Sequence, residues 1–371
     1  MVIDLPHQNG APVAEDNIIN RRGGESIYQS CLNLRKRIAK VPGFEDEMAR
    51  LDEEDRFKSG TGESNPVETL WIYFREGQPL LNIYNACVPQ KRVELDLSKV
   101  AEKQRTKLIT FKFLQACLQE LSFPQQECFL ITDLYGDNTM GFIKVVKMVN
   151  RVIDIMEAHG ILKEPTNLYP EMPNSKVGSK LTKKDHILKE LVETERDYVH
   201  HLQNLLALKR ELEETGALNG DTSHQIFFNI GELLDYAQRF LINMEQCYAM
   251  PPEKQNWGEL FMRNAVGLEK YEQFIANQLQ CDETCLKEWD NIHNAPRSVD
   301  LQQMVALPAN LNGFLVKPFQ RLTKYPLMLS VSVLFFFFFP FDWRLTTCGK
   351  RNFASKRRMS SSKTTSLVQL I

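Results

Sequence analysis

The sequence lacks a long hydrophobic segment, a signal peptide and an excess of either charge. Its one uninterrupted apolar run of note, from Val333 to Phe341, is far too short to span a bilayer. The first residues, MVIDLPHQNG, do not have the basic-then-apolar pattern of a signal peptide. A formal net charge of −2 gives no reason to expect binding to nucleic acid or to anionic membrane. We therefore expect a protein with no transmembrane segment and no nucleic-acid partner.

The sequence also lacks a cysteine framework. Its eight cysteines are scattered, mostly among apolar residues, which is typical of reduced, buried thiols in a cytosolic protein. Cys281 and Cys285 lie one helical turn apart, but no second pair of cysteines or histidines lies near them in the sequence. Because a tetrahedral zinc site needs four ligands, we expect no metal at this pair.

The length of 371 residues allows two domains of ordinary size, and the composition, 43% hydrophobic and 25% charged, is that of globular proteins. Residues 1–24 are polar and contain several glycines and a proline, which predicts a disordered N-terminus. Residues 25–66 form a partly helical, polar lead-in. Its amphipathic stretch, Ile27 to Val41, favours a helix packed on the next domain over a membrane anchor.

A first apolar core is predicted over residues 67–163, and its periodicity is helical. Trp71, Phe74, Leu80 and Leu81 open this core. A second helix is marked by Phe111, Leu114, Leu118 and Leu121. A third stripe recurs at the spacing of one helix face: Phe142, Val145, Val146, Val149, Val152, Ile153 and Met156. Residues 164–182 contain three prolines among polar residues, which predicts a linker.

A second helical domain is predicted over residues 183–330. Its helices are expected at Asp185–Glu214, Gln225–Met250, Trp257–Leu279, Leu286–Asn291 and Ala309–Ser330. Long helices joined by polar loops imply an elongated bundle.

A helical wheel separates core positions from outer positions on the first and last of these helices. Glu190 falls on the outer face of the first helix. In the last helix, Leu315, Phe319, Leu322 and Leu329 define the core face. Lys324 points nearly opposite, beside Lys317, Leu327 and Met328. Apolar side chains beside lysines on an outer face are typical of a partner-binding surface. On periodicity alone, ordinary solvated charge is the better explanation of Glu190 and Lys324.

Glu195 needs a different explanation, because it lies close to the centre of the apolar face of its helix. An unpaired carboxylate there would be costly, so we expect a structural role and a donor from another helix, first of all Arg321. Pro326 lies within the last predicted helix and leaves the carbonyl of Leu322 without its usual partner, which predicts a bend.

Two segments carry a resemblance to a known family. ILKELVETERDYVHHL, at residues 187–202, closely resembles the first signature region of Dbl homology domains, and GFLVKPFQRLTKYPLML, at residues 313–329, resembles their third. A weaker middle pattern surrounds residues 228–240. Upstream, ETLWIYFREGQPLLNIYNAC and CFLITDLYGDNTMGFIKVVKMV look like a calponin-homology domain. The chain thus resembles the Dbl-family Rho guanine nucleotide exchange factors that act in fungal cell polarity.

The resemblance implies an all-α protein, with a helical calponin-homology domain followed by an elongated, incomplete Dbl homology bundle. It implies exchange of GDP on a Rho-family small GTPase, with no covalent chemistry and no cofactor. By the same resemblance, Glu190 engages the first switch of the GTPase and Lys324 its second. The resemblance therefore favours a partner-binding role for both residues over ordinary solvated charge. Polarity regulators or G-protein subunits would bind through the N-terminal domain, and the protein would be cytoplasmic and recruited to the cell cortex.

A non-catalytic scaffold is the alternative interpretation. In that case, the calponin-homology domain would bind actin or a polarity regulator, and the second domain would not exchange nucleotide.

The resemblance ends at Ser330. Five phenylalanines follow, Phe335 to Phe339, then Pro340 and a basic, serine-rich remainder. We interpret residues 331–371 as an aberrant tail that a retained intron or a frameshift would produce, and we expect this tail to leave the exchange domain truncated and its activity impaired.

Overall fold

The computed structural model describes residues 24–59, 65–163 and 182–331, and the regular structure in these ranges is helical, with no strand. The predicted all-α fold class is therefore confirmed. The predictions of N-terminal disorder over residues 1–24, of a linker over residues 164–182 and of an aberrant tail over residues 331–371 lie outside the described residues, except for the boundary residues Gly24, Thr182 and Val331. The described residues belong to two compact units, one within Glu25–Lys180 and one that begins at Leu181.

Among the residues that the structure describes, the first unit contains seven α-helices: α1 Ile27–Ile38, α2 Glu45–Ser59, α3 Pro66–Arg75, α4 Gln78–Cys87, α5 Glu102–Glu120, α6 Ile131–Tyr135 and α7 Thr139–Ala158. Local sequence signals set where several of them begin. The Ser26 side chain accepts from the backbone of Gln29 in a capping box at α1. The side chains of Asn65 and Asn138 cap α3 and α7 in the same way.

The predicted stripe of α7 is the centre of this unit, because all seven of its apolar residues are buried. The amphipathic segment forms α1, which packs against α3 and α7. A buried ion pair between Arg35 of α1 and Asp55 of α2, with Thr69 of α3 also bonded to Asp55, joins these three helices. The lead-in therefore packs on the helices that follow it, as the sequence predicts.

The second predicted helix is present as α5, but most of the apolar residues that mark it are not buried. Phe111 and Leu118 are 52% and 38% exposed, and of the predicted stripe only Leu114 is buried. The buried face instead contains Ile109, Phe113 and Cys117, which lie against α4 and α6. The error has a simple cause, since α5 carries apolar residues on two adjacent stripes and periodicity alone does not say which one is covered.

Within its described range, residues 182–331, the second unit contains ten α-helices: α8 Lys183–Glu214, α9 Gly220–Phe227, α10 Ile230–Ala249, α11 Trp257–Asn264, α12 Glu269–Ala276, α13 Gln278–Lys287, α14 Trp289–Asn294, α15 Val299–Gln302, α16 Pro308–Leu315 and α17 Lys317–Val331. The longest, α8, begins with a capping box between Thr182 and Asp185. It packs against α9, α10, α16 and α17.

Four predicted helices of this unit are interrupted, among them Leu286–Asn291, which breaks at Glu288 between α13 and α14. The segment predicted at 225–250 breaks at Phe228, whose φ is +39°, and the segment at 257–279 divides into shorter helices. The last predicted helix breaks at Val316, so that α16 and α17 are separate helices.

Candidate functional site

The candidate site lies where α17 packs along the N-terminal half of α8. The two helices run antiparallel, because residues later in α17 contact residues earlier in α8. The ring of Phe314, just before α17, lies 5.4 Å from the ring of His201. Further along α17, Arg321 donates to the hydroxyl of Thr194 over 2.8 Å. Between these two contacts, burial lowers the pKa of Lys317, and the carboxylate of Asp197 is close enough to oppose that change.

This register brings the two predicted contact residues to one level. Glu190 lies two helical turns before Asp197 on α8, and Lys324 lies two turns after Lys317 on α17. Since residues two turns apart share a helix face, Glu190 and Lys324 lie on the same side as the Asp197–Lys317 pair. Both side chains are exposed. The helix pair therefore presents a carboxylate and an ammonium group on one side.

A buried cluster beneath this surface holds the two helices together; we call Thr194, Glu195, Arg321 and Tyr325 the Glu195 cluster. The Glu195 side chain is fully buried. Arg321 donates from Nε to one carboxylate oxygen of Glu195 over 2.6 Å. The hydroxyl of Tyr325 lies 2.9 and 3.0 Å from the two carboxylate oxygens. The contact predicted between Glu195 and Arg321 is therefore present.

The electrostatics of the cluster follow from this burial. Burial raises the pKa of the Glu195 carboxyl, and the donors Arg321 and Tyr325 act in the opposite direction. Burial tends to lower the pKa of the Arg321 guanidinium, but attraction to Glu195 outweighs it and the pKa is raised. The Arg321 guanidinium carbon also lies 5.0 Å from the centre of the Tyr325 ring. Arg321 therefore remains a cation.

The other predicted contact residues differ in how accessible they are. Leu327 is 52% exposed, and Met328 is half-buried. Lys317 is also half-buried, with its Nζ atom 5.6 Å from the centre of the Phe314 ring. Burial and the nearby Lys324 lower the pKa of Lys317, while Asp197 opposes that change. The Lys317 side chain therefore packs against neighbouring residues of this protein, whereas the Lys324 side chain is exposed.

The prediction that Phe319 lies on the core face is wrong, because its side chain is 52% exposed. Leu315, Leu322 and Leu329 are buried, as predicted. The buried stripe keeps its helical spacing across the break at Val316, since Leu315, Leu322 and Leu329 lie seven residues apart, and Phe319 falls at the exposed edge of that stripe. α17 continues through Pro326 to Val331.

Sequence reasoning missed three further polar residues around the site. Tyr325 is fully buried, and the sequence held a signal for it, since Tyr325 follows Arg321 by one helical turn on the same face. Thr194 precedes Glu195 and bonds to Arg321. Arg196 donates to the buried Glu245 of α10 over 2.6 Å, and nothing in the sequence indicated this pair.

Two classes of site are not found among the residues that the structure describes. No group of three or more histidine, cysteine, aspartate or glutamate side chains there is arranged to hold a metal ion. In the same ranges, no helix combines the length and the apolar character that crossing a bilayer would take.

Comparison with protein-family models identifies two domains. The model described as CDC24 Calponin matches residues 65–153, and the model described as RhoGEF domain matches residues 187–331. The second match contains all the residues of the candidate site. It includes α8 from its second turn and extends to the last residue of α17.

Comparison with curated proteins finds fungal relatives. The chain is 27% identical over 325 residues to "Rho guanine nucleotide exchange factor scd1" of Schizosaccharomyces pombe, which covers 84% of this chain and 37% of the relative. It is 28% identical over 282 residues to "Cell division control protein 24" of Saccharomyces cerevisiae, which covers 73% of this chain and 32% of that protein. The chain thus spans roughly a third of the length of these relatives.

Among solved structures, the chain is similar to one of Vav1 inhibited by an allosteric inhibitor. The two are 19% identical, and the match covers 84% of this chain and 60% of the Vav1 chain. Its TM-score of 0.33 is too low to bear on fold or function.

Proposed function

We propose that this chain, which contains a calponin domain of the CDC24 type followed by a RhoGEF domain, promotes the release of GDP from a Rho-family small GTPase. The observation that carries the proposal is the exposure of Glu190 and Lys324 on α8 and α17, two packed helices of the RhoGEF domain whose contacts imply a common side for both. An exposed carboxylate and an exposed ammonium group on one side can each pair with an opposite charge on one docked protein.

The apolar neighbours of Lys324 support a protein partner. Leu327, one turn further along α17, is half exposed, and Met328 beside it is half-buried. Interfaces combine such apolar and flexible side chains at the centre with charged groups at the rim. A surface of this kind fits a folded protein better than a small metabolite.

Exchange of this kind needs binding energy and no covalent step. A protein that binds the nucleotide-free GTPase more tightly than the nucleotide-bound one lowers the barrier to release. In our proposal, Glu190 contacts the first switch of the GTPase and Lys324 the second. The Glu195 cluster keeps the two helices that carry them in register, so that both contacts form at once.

The N-terminal domain would bind regulators, and we propose polarity regulators or G-protein subunits as its partners and the cell cortex as the place of recruitment. The similarity to two fungal exchange and division proteins supports this role. So do the exposed side chains of Phe111 and Leu118, which lie two turns apart on the outer face of α5.

The test is the release of a fluorescent GDP analogue from a panel of Rho-family GTPases, with a Ras-family GTPase as the negative control. We expect GDP release from at least one Rho-family member to be more than about tenfold faster than spontaneous release, a modest acceleration for a catalyst. No acceleration with any member would contradict the proposal. Cosedimentation with filamentous actin in that case would favour the scaffold alternative.

A further inference from the structure

We propose that Thr194 is a positioning residue for exchange, which acts by fixing the backbone of Glu190 relative to α17. This inference rests on the proposed function and goes beyond it, because Thr194 need not touch the GTPase. Thr194 lies one helical turn after Glu190 and is half-buried between α8 and α17.

The hydroxyl of Thr194 is bonded on both sides. It donates to the backbone carbonyl of Glu190 over 2.7 Å and accepts from Nη1 of Arg321 over 2.8 Å. A hydroxyl can donate one hydrogen bond while it accepts another, so both contacts can hold at the same time. A continuous chain of hydrogen bonds therefore runs from Arg321 of α17 to the residue that carries the exposed carboxylate.

The neighbouring contact supports the same conclusion. Nη2 of Arg321 donates to the backbone carbonyl of Leu191 over 2.9 Å. Arg321 thus bonds directly to the carbonyl of Leu191, the residue after Glu190, and reaches the carbonyl of Glu190 itself through Thr194. Bonds of this kind between a threonine hydroxyl and the carbonyl one turn earlier also affect the bend of a helix. Both effects act on the direction in which Glu190 leaves α8.

The charge of Arg321 does not depend on this hydroxyl, because Glu195 balances it over 2.6 Å. Replacing Thr194 with valine, which has nearly the same shape, keeps that ion pair but removes both the bridge to Glu190 and the acceptor of Arg321 Nη1. The unpaired donor lowers the stability of the fold as well. The effect on exchange is therefore measured as a coupling to Glu190, which a loss of stability alone would not produce.

The chain offers a matched control at the other end of α8. The hydroxyl of Thr215 donates to the carbonyl of Glu211 over 2.8 Å, with a second contact to Leu212 over 3.3 Å. Thr194 makes the corresponding contacts within its own helix, at 2.7 Å to Glu190 and 3.3 Å to Leu191. Thr215 differs in that it is exposed and lies at the C-terminal end of the helix. Thr215→Val therefore reports the loss of the local bond alone.

The experiment is a double-mutant cycle on GDP release, with Thr194→Val measured in the wild-type chain and in the Glu190→Ala chain. We expect Thr194→Val to lower the maximal rate about 3- to 10-fold with little change in KM, because small misplacements of a positioned group reduce the rate. In the Glu190→Ala chain it should have no further effect. Thr194→Ser should restore the rate, and Thr215→Val should leave it unchanged.

Two results of this cycle would overturn the inference. One is a rate for Thr194→Val equal to that of the wild type. The other is the same fractional loss in both backgrounds, which would indicate a general structural role.

A second measurement separates this inference from the proposed function. If the wild-type chain releases no GDP from any Rho-family GTPase, the proposed function fails, and backbone hydrogen exchange then tests the positioning. We expect Thr194→Val to speed amide exchange over residues 190–195, and Thr215→Val to leave those amides unchanged. Equal protection in the two variants would overturn the positioning role as well.

Discussion

Within the Glu195 cluster, single residues show how a charge is accommodated in a helical core. The sequence predicted the burial of Glu195 and its pairing with Arg321, because a carboxylate in an apolar stripe needs a cationic donor. It did not predict the hydroxyl of Tyr325, which supplies the second donor. Aromatic residues fit an apolar face whether or not their polar atoms are used, so periodicity is silent on such contacts.

The Glu195–Arg321 pair gives a stability prediction. Arg321→Met alone should destabilise the fold by about 3–5 kcal/mol, because it leaves an uncompensated buried carboxylate. Replacing both residues, Glu195→Leu with Arg321→Met, should cost much less, since no buried charge remains. Urea unfolding followed by far-UV circular dichroism measures both. A double variant that loses as much stability as the single one would contradict the buried ion pair.

The cysteines give a prediction about reactivity. Burial raises the pKa of the Cys31 and Cys117 thiols, so that almost no thiolate exists at neutral or mildly basic pH. Both side chains are fully buried, whereas Cys285 is only half-buried. Iodoacetamide at pH 8 should label Cys285 in the native chain and leave Cys31 and Cys117 unlabelled. Peptide mass spectrometry measures the labelling of each cysteine. Faster labelling of Cys31 or Cys117 than of Cys285 would contradict the packing of the first unit.

At the scale of helices, the sequence was most informative where a single apolar stripe occurs. The seven apolar residues of the stripe predicted on α7 are all buried. The sequence was least informative where apolar residues extend beyond the covered stripe of a helix. Phe111 of α5 and Phe319 of α17 are such residues, and each is 52% exposed. Both errors arise because a hydrophobic pattern does not record which neighbouring helix covers it.

Two glycines of the first unit allow a matched test of helix packing. Gly77 and Gly43 have φ angles of +74° and +89°, a region that favours glycine. A Cβ atom on Gly77 would lie 2.6 Å from the backbone oxygen of Thr106 in α5, whereas a Cβ atom on Gly43 meets nothing within 4 Å. Gly77 thus marks a close approach between the start of α4 and α5.

Gly43→Ala should cost about 1–2 kcal/mol from backbone strain alone. Gly77→Ala should lower the free energy of unfolding by about 1–3 kcal/mol more than Gly43→Ala does, because α5 must also move. Amide hydrogen exchange of α5 in the intact chain measures the difference. Equal effects of the two substitutions would mean that α4 and α5 are not this close.

At the scale of the whole molecule, the sequence predicted the fold class and the order of the two domain types. The signature segments did this, and the family models match residues 65–153 and 187–331 in the same order. Composition alone could not have done so, since a net charge of −2 and 25% charged residues fit many globular proteins. The placement of Glu190 and Lys324 on one side of the helix pair follows from the register of α8 and α17. These helices are far apart in sequence, and only the tertiary structure supplies their register.

The central claim is that Glu190 and Lys324 act together on a GTPase, and one measurement tests it most directly. Release of fluorescent GDP from the responsive Rho-family GTPase is compared for Glu190→Ala, Lys324→Ala and two controls, Glu214→Ala and Lys287→Ala. The controls remove an exposed glutamate at the far end of α8 and an exposed lysine at the end of α13. We expect each site substitution to slow release by about tenfold or more, a loss of about 1.4 kcal/mol of transition-state stabilisation. We expect the controls to match the wild-type chain, and all variants to melt at the same temperature. Wild-type rates in both site variants would contradict the account.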